Sequence, residues 1–264
     1  MSGAHPTGRR LRIRFAKRGK VRFVSHRDVA RIWERGLRRA GLGVAYTEGF
    51  SPRPKLSFGL ALSTGFESLG EYVDVNLQDD GSGLVDCQRL PAMLNPAFPV
   101  GIEAQVVEPL QPGAPSLQQA VTSCTWHTEV TTGPPGVDVG ARDGQPSGRA
   151  PGQVAAAVQR VLAASEVMVT RERKGREAVE DIRPGILSLQ VLGSTGRTAS
   201  LEVELATQPR SLRPAELVRA LDSALYLDRV VRTHQWTNVG GARQEVIPLP
   251  TAATPTRTPE ARAS

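Results

Sequence analysis

The order in which hydrophobic periodicity changes along this chain constrains its fold more than any other feature. LRIRFA (11–16) alternates apolar and basic residues with the period of two of a half-buried strand, and KRGK (17–20) reads as a turn before VRFV (21–24). Ser25 with Asp28 forms a capping signal and Gly41 follows Ala40 as a stop, so the spacing predicts a helix from about His26 to Ala40. VAYT (44–47), LSFGLAL (56–62) and EYVDVNL (71–77) read as strands, LVDCQRLPAMLN (84–95) as a helix delayed or broken at Pro91, and GIEAQVV (101–107) as a strand.

After residue 112 that order returns. CTWHTEV (124–130) has the pattern of a strand, GQVAAAVQRVLAAS (152–165) of a helix and VMVTRER (167–173) of a strand; ILSLQVL (186–192) and ASLEVEL (199–205) pair as a hairpin. RPAELVRALDSAL (213–225) carries Pro214 in the first turn of a helix, and DRVVRTHQW (228–236) closes the series as a strand. Strand, helix, two or more strands, helix, strand, met twice, specifies an α+β chain of two tandem ferredoxin-like (βαββαβ-type) sandwiches, residues 9–112 and 113–240. The Gly- and Pro-rich stretch 131–152 is expected to be a disordered insertion, 241–264 a disordered tail, and the first eight residues a frayed end.

Charge is distributed unevenly. The net charge is +7, yet between Arg9 and Lys55 fifteen Lys/Arg face only Asp28, Glu34 and Glu48, a local +12. From Leu56 to Pro112 Arg89 stands against eight acids, a local −7. A concentrated positive segment gathers polyanions, of which nucleic acid is the commonest, unless the acidic stretch packs alongside and neutralises it. With no long apolar run and no apolar segment ahead of a cleavage site, the sequence predicts no membrane association and a cytoplasmic location. Cys87 and Cys124 lie too far apart for a zinc or iron–sulfur spacing and are expected to be reduced; His5, His26, His127 and His234 are too scattered to form a metal cluster, and no cofactor is expected.

At 100° per residue, Val29, Ile32, Trp33, Leu37 and Ala40 share one face of the predicted helix, and Arg27, Arg31, Arg35 and Arg38 form a stripe nearly opposite. The inner face can pack on a sheet while the stripe meets phosphates; the alternative is a solvated helix face. In EGFSPRPKLSF (48–58), Pro52 and Pro54 fix their own φ and push Ser51 and Arg53 toward extended backbone. The loop is therefore stiff and presents Arg53 and Lys55 at little entropic cost, or it is a plain hairpin connection. His26, at the start of the helix, can act as general base for metal-independent RNA cleavage, with Tyr46 and Lys55 nearby, or can serve only in binding or packing. In REAVEDIRPGI (176–186), Arg183 either joins a second basic edge or pairs locally with Asp181. Trp126 and Trp236 are read as core residues in preference to a base-stacking platform.

The run RFVSHRDVARIWERGLRRAGLGVAYTEGFSPRPKLSFGLALSTGFESLGEYVDV, with REAVEDIRPGI, resembles the radical SAM-linked protein family, a domain of unknown function (DUF2344), over about residues 10–240. The family's members occur fused to a radical SAM protein or as separate chains, and the resemblance implies a separate chain here, because no C-x3-C-x2-C cluster motif is present. Taken with the charge, the expectation is an RNA-binding accessory protein for tRNA or another structured RNA, acting with an RNA-processing or radical SAM-type modifying enzyme. Two alternatives stand beside it. One is a metal-independent endoribonuclease using His26, motivated by fold-level analogy with CRISPR repeat-cleaving endoribonucleases. The other is an adaptor whose basic face meets an acidic protein.

Overall fold

The computed structural model describes residues 10–78, 85–133, 151–173 and 175–249 of the chain. Most of the expected insertion, the end of the expected tail and the first eight residues lie outside the described residues. The protein is a mixed α+β chain dominated by one large, mostly antiparallel sheet.

The first half contains β1 (Arg10–Lys17), α1 (His26–Arg39), β2 (Leu56–Phe58), β3 (Glu67–Asn76), α2 (Leu90–Leu94) and β4 (Ile102–Leu110). A short α3 (Leu117–Ala120) leads into β5 (Val121–Thr131), α4 (Pro151–Ala163), β6 (Met168–Arg173), β7 (Arg176–Asp181), β8 (Ile186–Thr195), β9 (Thr198–Ala206), α5 (Pro214–Leu221), β10 (Tyr226–Val239) and β11 (Ala242–Glu245). The sheet runs β4-β1-β3-β10-β5-β9-β8, with β2 also on β3 and β11 also on β10, while β6 and β7 form a separate hairpin. Within each half all pairings are antiparallel. The halves join where β10 runs parallel to β3 for two residue pairs, Val231 with Glu67 and Arg232 with Ser68.

Two cores lie under the helices. In the first half Leu11, Ile13 and Phe15 of β1 and Val73 and Val75 of β3 meet Val29, Trp33 and Leu37 of α1. Trp33 is fully buried between Phe15 and Phe98, with ring centroids 4.9 and 4.7 Å away. Each such side chain contributes about 1.5–3 kcal/mol when removed from water, so the inner face of α1 holds the helix in place without help from its arginines. The second core gathers Val130, Val158, Leu201, Val203, Leu205, Leu217 and Leu221.

Several local expectations are corrected. The turn expected at residues 17–20 begins after Lys17, the last residue of β1, and runs on through Gly19–Phe23 as a 3-10 helix. The expected VAYT strand reduces to single bridges, Val44 to Leu77 and Tyr46 to Pro54. The tail is structured as far as it is described, because Ala242–Glu245 pairs along β10 as β11 and Ile247 is buried beside Tyr72 and Leu117. Pro91 does delay its helix, which starts only at Leu90. Among the described residues no helix is long and apolar enough to cross a membrane, and both cysteines are free.

The basic residues of β1 are also not at the surface. Arg12, Arg14 and Lys17 are buried, and Arg10 is partly so. Asp74 takes both Arg10 (2.5 Å) and Arg12 (2.7 Å), and Arg14 pairs with Glu245 and donates to the Ile247 carbonyl at 2.7 Å. Lys17 donates to the Arg22 and Val24 carbonyls at 3.3 and 3.2 Å, Arg18 pairs with Glu103 and Arg22 with Glu67. The face of β1 opposite α1 is thus covered, and the carboxylates of Glu67, Asp74, Glu103 and Glu245 offset about a third of the local positive excess.

Candidate functional site

Among the described arginines up to Lys55, those without a carboxylate from a later part of the chain are the ones of α1 and of the loop after it. Ser25 caps α1: its Oγ accepts from the Asp28 N–H at 3.2 Å and donates to Asp28 Oδ2 at 2.7 Å. That hydrogen bond, a second one from Arg31 at 3.0 Å, and the charges of Arg31 and Arg27 hold the Asp28 carboxyl below the usual carboxylate range. Asp28 therefore stays ionised and offsets part of the Arg31 charge. Arg27, Arg31, Arg35, Arg38 and Arg39 are all exposed, as the helical spacing predicts.

The loop that follows is tied at its neck. Thr47 N–H donates to the Arg53 carbonyl at 2.8 Å, Arg53 N–H donates to Thr47 Oγ1 at 3.0 Å, and Lys55 N–H donates to the Ala45 carbonyl at 2.7 Å. Gly49 turns the tip at φ 120°, a conformation reserved for glycine, and Pro52 and Pro54 stiffen the return.

Between the first turns of α1 and residues 53–58 lies an open cavity of about 550 Å³. Arg27 and Arg31 project from α1 and Arg53 from the loop, with Glu34 the one acid in the lining. His26 and Phe58 also line it, their rings edge to face with centroids 5.3 Å apart. Gln118 of α3 contributes to the wall and donates from Nε2 to the Phe58 carbonyl at 2.9 Å. Among the described residues neither Arg27 nor Arg53 has an ion-pair or hydrogen-bond partner for its guanidinium. With Arg31 already held by Asp28 and Glu34 in the wall, the unpaired guanidinium groups of Arg27 and Arg53 supply the free donors of a cradle for an anion with several oxygens.

Of the residues singled out in the sequence, His26, Arg27, Arg31 and Arg53 come together. Arg35 and Arg38 continue the stripe along α1 beyond the cavity, and Lys55 and Tyr46 are exposed outside its lining. Arg183 is not brought there. It stands before β8, at the far edge of the sheet from β1, and donates to the Ile186 carbonyl at 3.1 Å and to the Leu162 carbonyl at 3.2 Å near the end of α4. Asp181 takes backbone N–H groups of Val167 (2.7 Å) and Arg183 (2.9 Å) rather than a guanidinium. Arg183→Ala is therefore expected to lower stability by about 1–3 kcal/mol in urea unfolding, because it orphans part-buried carbonyls, and to leave affinity for any anionic ligand unchanged.

Trp126 is buried as expected, whereas Trp236 is half-buried between His234, stacked at 4.9 Å, and Arg243, 3.6 Å from its centroid. Phe58, Glu34 and Gln118 were not legible as site residues. Phe58 reads as one more apolar residue of a strand, and Gln118 reaches the cavity only through the chain's return after β4.

The chain matches, over residues 10–232, the family described as an uncharacterized protein conserved in bacteria (DUF2344), and it belongs to that family. No curated protein matches it. Among solved structures it is similar to a crystal structure of a Cbf5-Nop10-Gar1 complex, at 11% identity and a TM-score of 0.45 over 85% of this chain and 48% of that one. A structure of an H/ACA RNP bound to a substrate RNA containing 2′-deoxyuridine gives 10% identity and a TM-score of 0.41, over 85% of this chain and 47% of that one. An unknown protein from Galdieria sulphuraria gives 12% identity and a TM-score of 0.24, over 90% and 99%. The chain spans about half the length of the first two.

Proposed function

We propose that this protein binds RNA through the arginine-lined cavity between α1 and residues 53–58, with tRNA or another structured RNA as ligand. The observation that carries this reading is the convergence of Arg27, Arg31 and Arg53 on one open cavity, with the guanidinium groups of Arg27 and Arg53 unpartnered among the described residues. We read the protein as an accessory that delivers RNA, in the cytoplasm, to an RNA-processing or radical SAM-type modifying enzyme, with no cofactor of its own. Each half is read as a ferredoxin-like unit. The support is strand order: β4-β1-β3-β2 and β10-β5-β9-β8 both run fourth, first, third, second, and both are antiparallel throughout.

Fluorescence anisotropy with a tRNA transcript across a salt series tests the binding. The affinity is expected to fall steeply, with log K linear in log salt, as bound counterions are released. A salt-independent affinity or no binding, with binding of a polyaspartate chain instead, replaces RNA by an acidic protein partner. His26 in the lining supports a second reading, metal-independent cleavage with His26 as general base. In that case EDTA-resistant cleavage disappears in His26→Ala while binding survives; RNA left intact by the wild type discards it.

A further inference from the structure

The tip of the loop beside the cavity carries a side chain that the fold does not use. Phe50 is fully exposed, at 111% of its reference area, and follows Gly49 at the turn of a loop tied below it by the Thr47 and Arg53 hydrogen bonds. A single exposed apolar residue is ordinary on a surface, but a ring held outward on a tied, proline-braced loop is a different matter. The side chain gains no burial from the protein.

The surroundings decide what could cover the ring. Its neighbours Thr47, Glu48, Gly49, Ser51 and Pro52 supply no second large apolar side chain, and the next aromatic, Tyr46, is partly covered at the neck where it bridges Pro54, so at the tip the apolar surface is a single ring. That is too little for the central anchor of a protein interface, which needs a desolvated cluster, and it is the size of one nucleobase face. Arg53, three residues on, lies within about 11 Å along the chain and faces the cavity with Arg27 and Arg31; Glu48 is the one acid in the loop. A stacking ring next to unpaired guanidinium groups is the combination that single-stranded nucleic acid recognition requires.

We propose that Phe50 is a stacking platform for an unpaired RNA base whose neighbouring phosphates occupy the arginine cavity. The feature recognised is then a single-stranded loop or end, since bases inside a duplex offer no free face. This rests on the RNA-binding reading and narrows its ligand.

The test compares a fluorescein-labelled single-stranded oligoribonucleotide with the same oligonucleotide annealed to its complement, binding to wild type, Phe50→Ala and Phe50→Trp. The ring touches no core residue, so all three proteins are expected to fold alike. Wild type is expected to prefer the single strand. Phe50→Ala is expected to lose about 5- to 100-fold on the single strand, with its salt dependence and its duplex affinity unchanged. Phe50→Trp is expected to keep the affinity and to show quenched tryptophan emission on binding. Unaltered single-strand affinity in Phe50→Ala, an equal loss on duplex, or unquenched Phe50→Trp overturns the stacking role. If these occur while the wild type still binds RNA in a salt-dependent way, only the stacking inference falls. If the wild type binds neither form, the RNA reading falls with it and the ring is left to a protein partner.

Discussion

Reversing the three cavity arginines together, as Arg27→Glu, Arg31→Glu and Arg53→Glu, is expected to lower RNA affinity by about 1000-fold at moderate salt. Each charge-assisted hydrogen bond to a phosphate is worth about 1.5 kcal/mol or more, and three of them multiply to that factor. The slope of log K against log salt is expected to fall by about 2 to 3 units, one for each phosphate that is no longer neutralised. Stability should barely change: Arg27 and Arg53 have no partner among the described residues, and the Arg31–Asp28 pair is exposed and worth about 0–1 kcal/mol. The comparison variant, Arg35→Glu with Arg38→Glu, keeps the stripe's charge change but leaves the cavity intact, so a smaller loss is expected. Wild-type affinity in the triple variant would remove the cavity from the interface. A larger loss in the pair than in the triple would move the interface along α1.

The second large effect concerns the joint between the halves. β3 and β10 share only two residue pairs, so their junction depends on side chains. Arg232 is 1% exposed, grips Glu71 with Nη2 at 2.6 and 2.7 Å and Nε at 3.0 Å, donates to the Leu60 carbonyl at 2.8 Å, and lies 5.1 Å from the Trp126 ring centroid. Gln235 donates to the Gly70 carbonyl at 2.7 Å, and Arg229 holds Glu67 at 2.9 Å. Removing one member of such a pair leaves the other charge buried and uncompensated. Arg232→Met is expected to cost about 3–5 kcal/mol, which lowers Tm by about 10 °C for a chain of this size. Replacing both partners, Arg232→Met with Glu71→Leu, is expected to recover most of that loss, because two apolar side chains need no counter-charge. A single variant that melts within about 2 °C of wild type would mean that the joint is held by something other than this pair.

Both experiments bear on the same division of the positive charge, and the sequence exposed only part of it. For α1 the residue spacing was enough. Val29, Trp33 and Leu37 are buried and Arg27, Arg31, Arg35 and Arg38 exposed because a helix sorts its own residues at 3.6 per turn, whatever lies beyond. For β1 it was not enough. Alternation puts Arg10, Arg12 and Arg14 on one face, but it does not say that residues 114–117 and 245–247 cover that face. β11 escaped for a related reason: ARQE has no apolar period, and its order comes from the β10 edge beside it.

What the sequence determined by itself was the α+β alternation, the outward stripe of α1 and the stiffness of the Pro52–Pro54 bend, all of which are set within a few residues by backbone sterics and helical period. What only the tertiary structure decided was which cations stay free. That depends on carboxylates and carbonyls distant in the chain, as Asp74, Glu245 and Ile247 show for β1, and no local pattern encodes the approach of segments 62 to 233 residues apart.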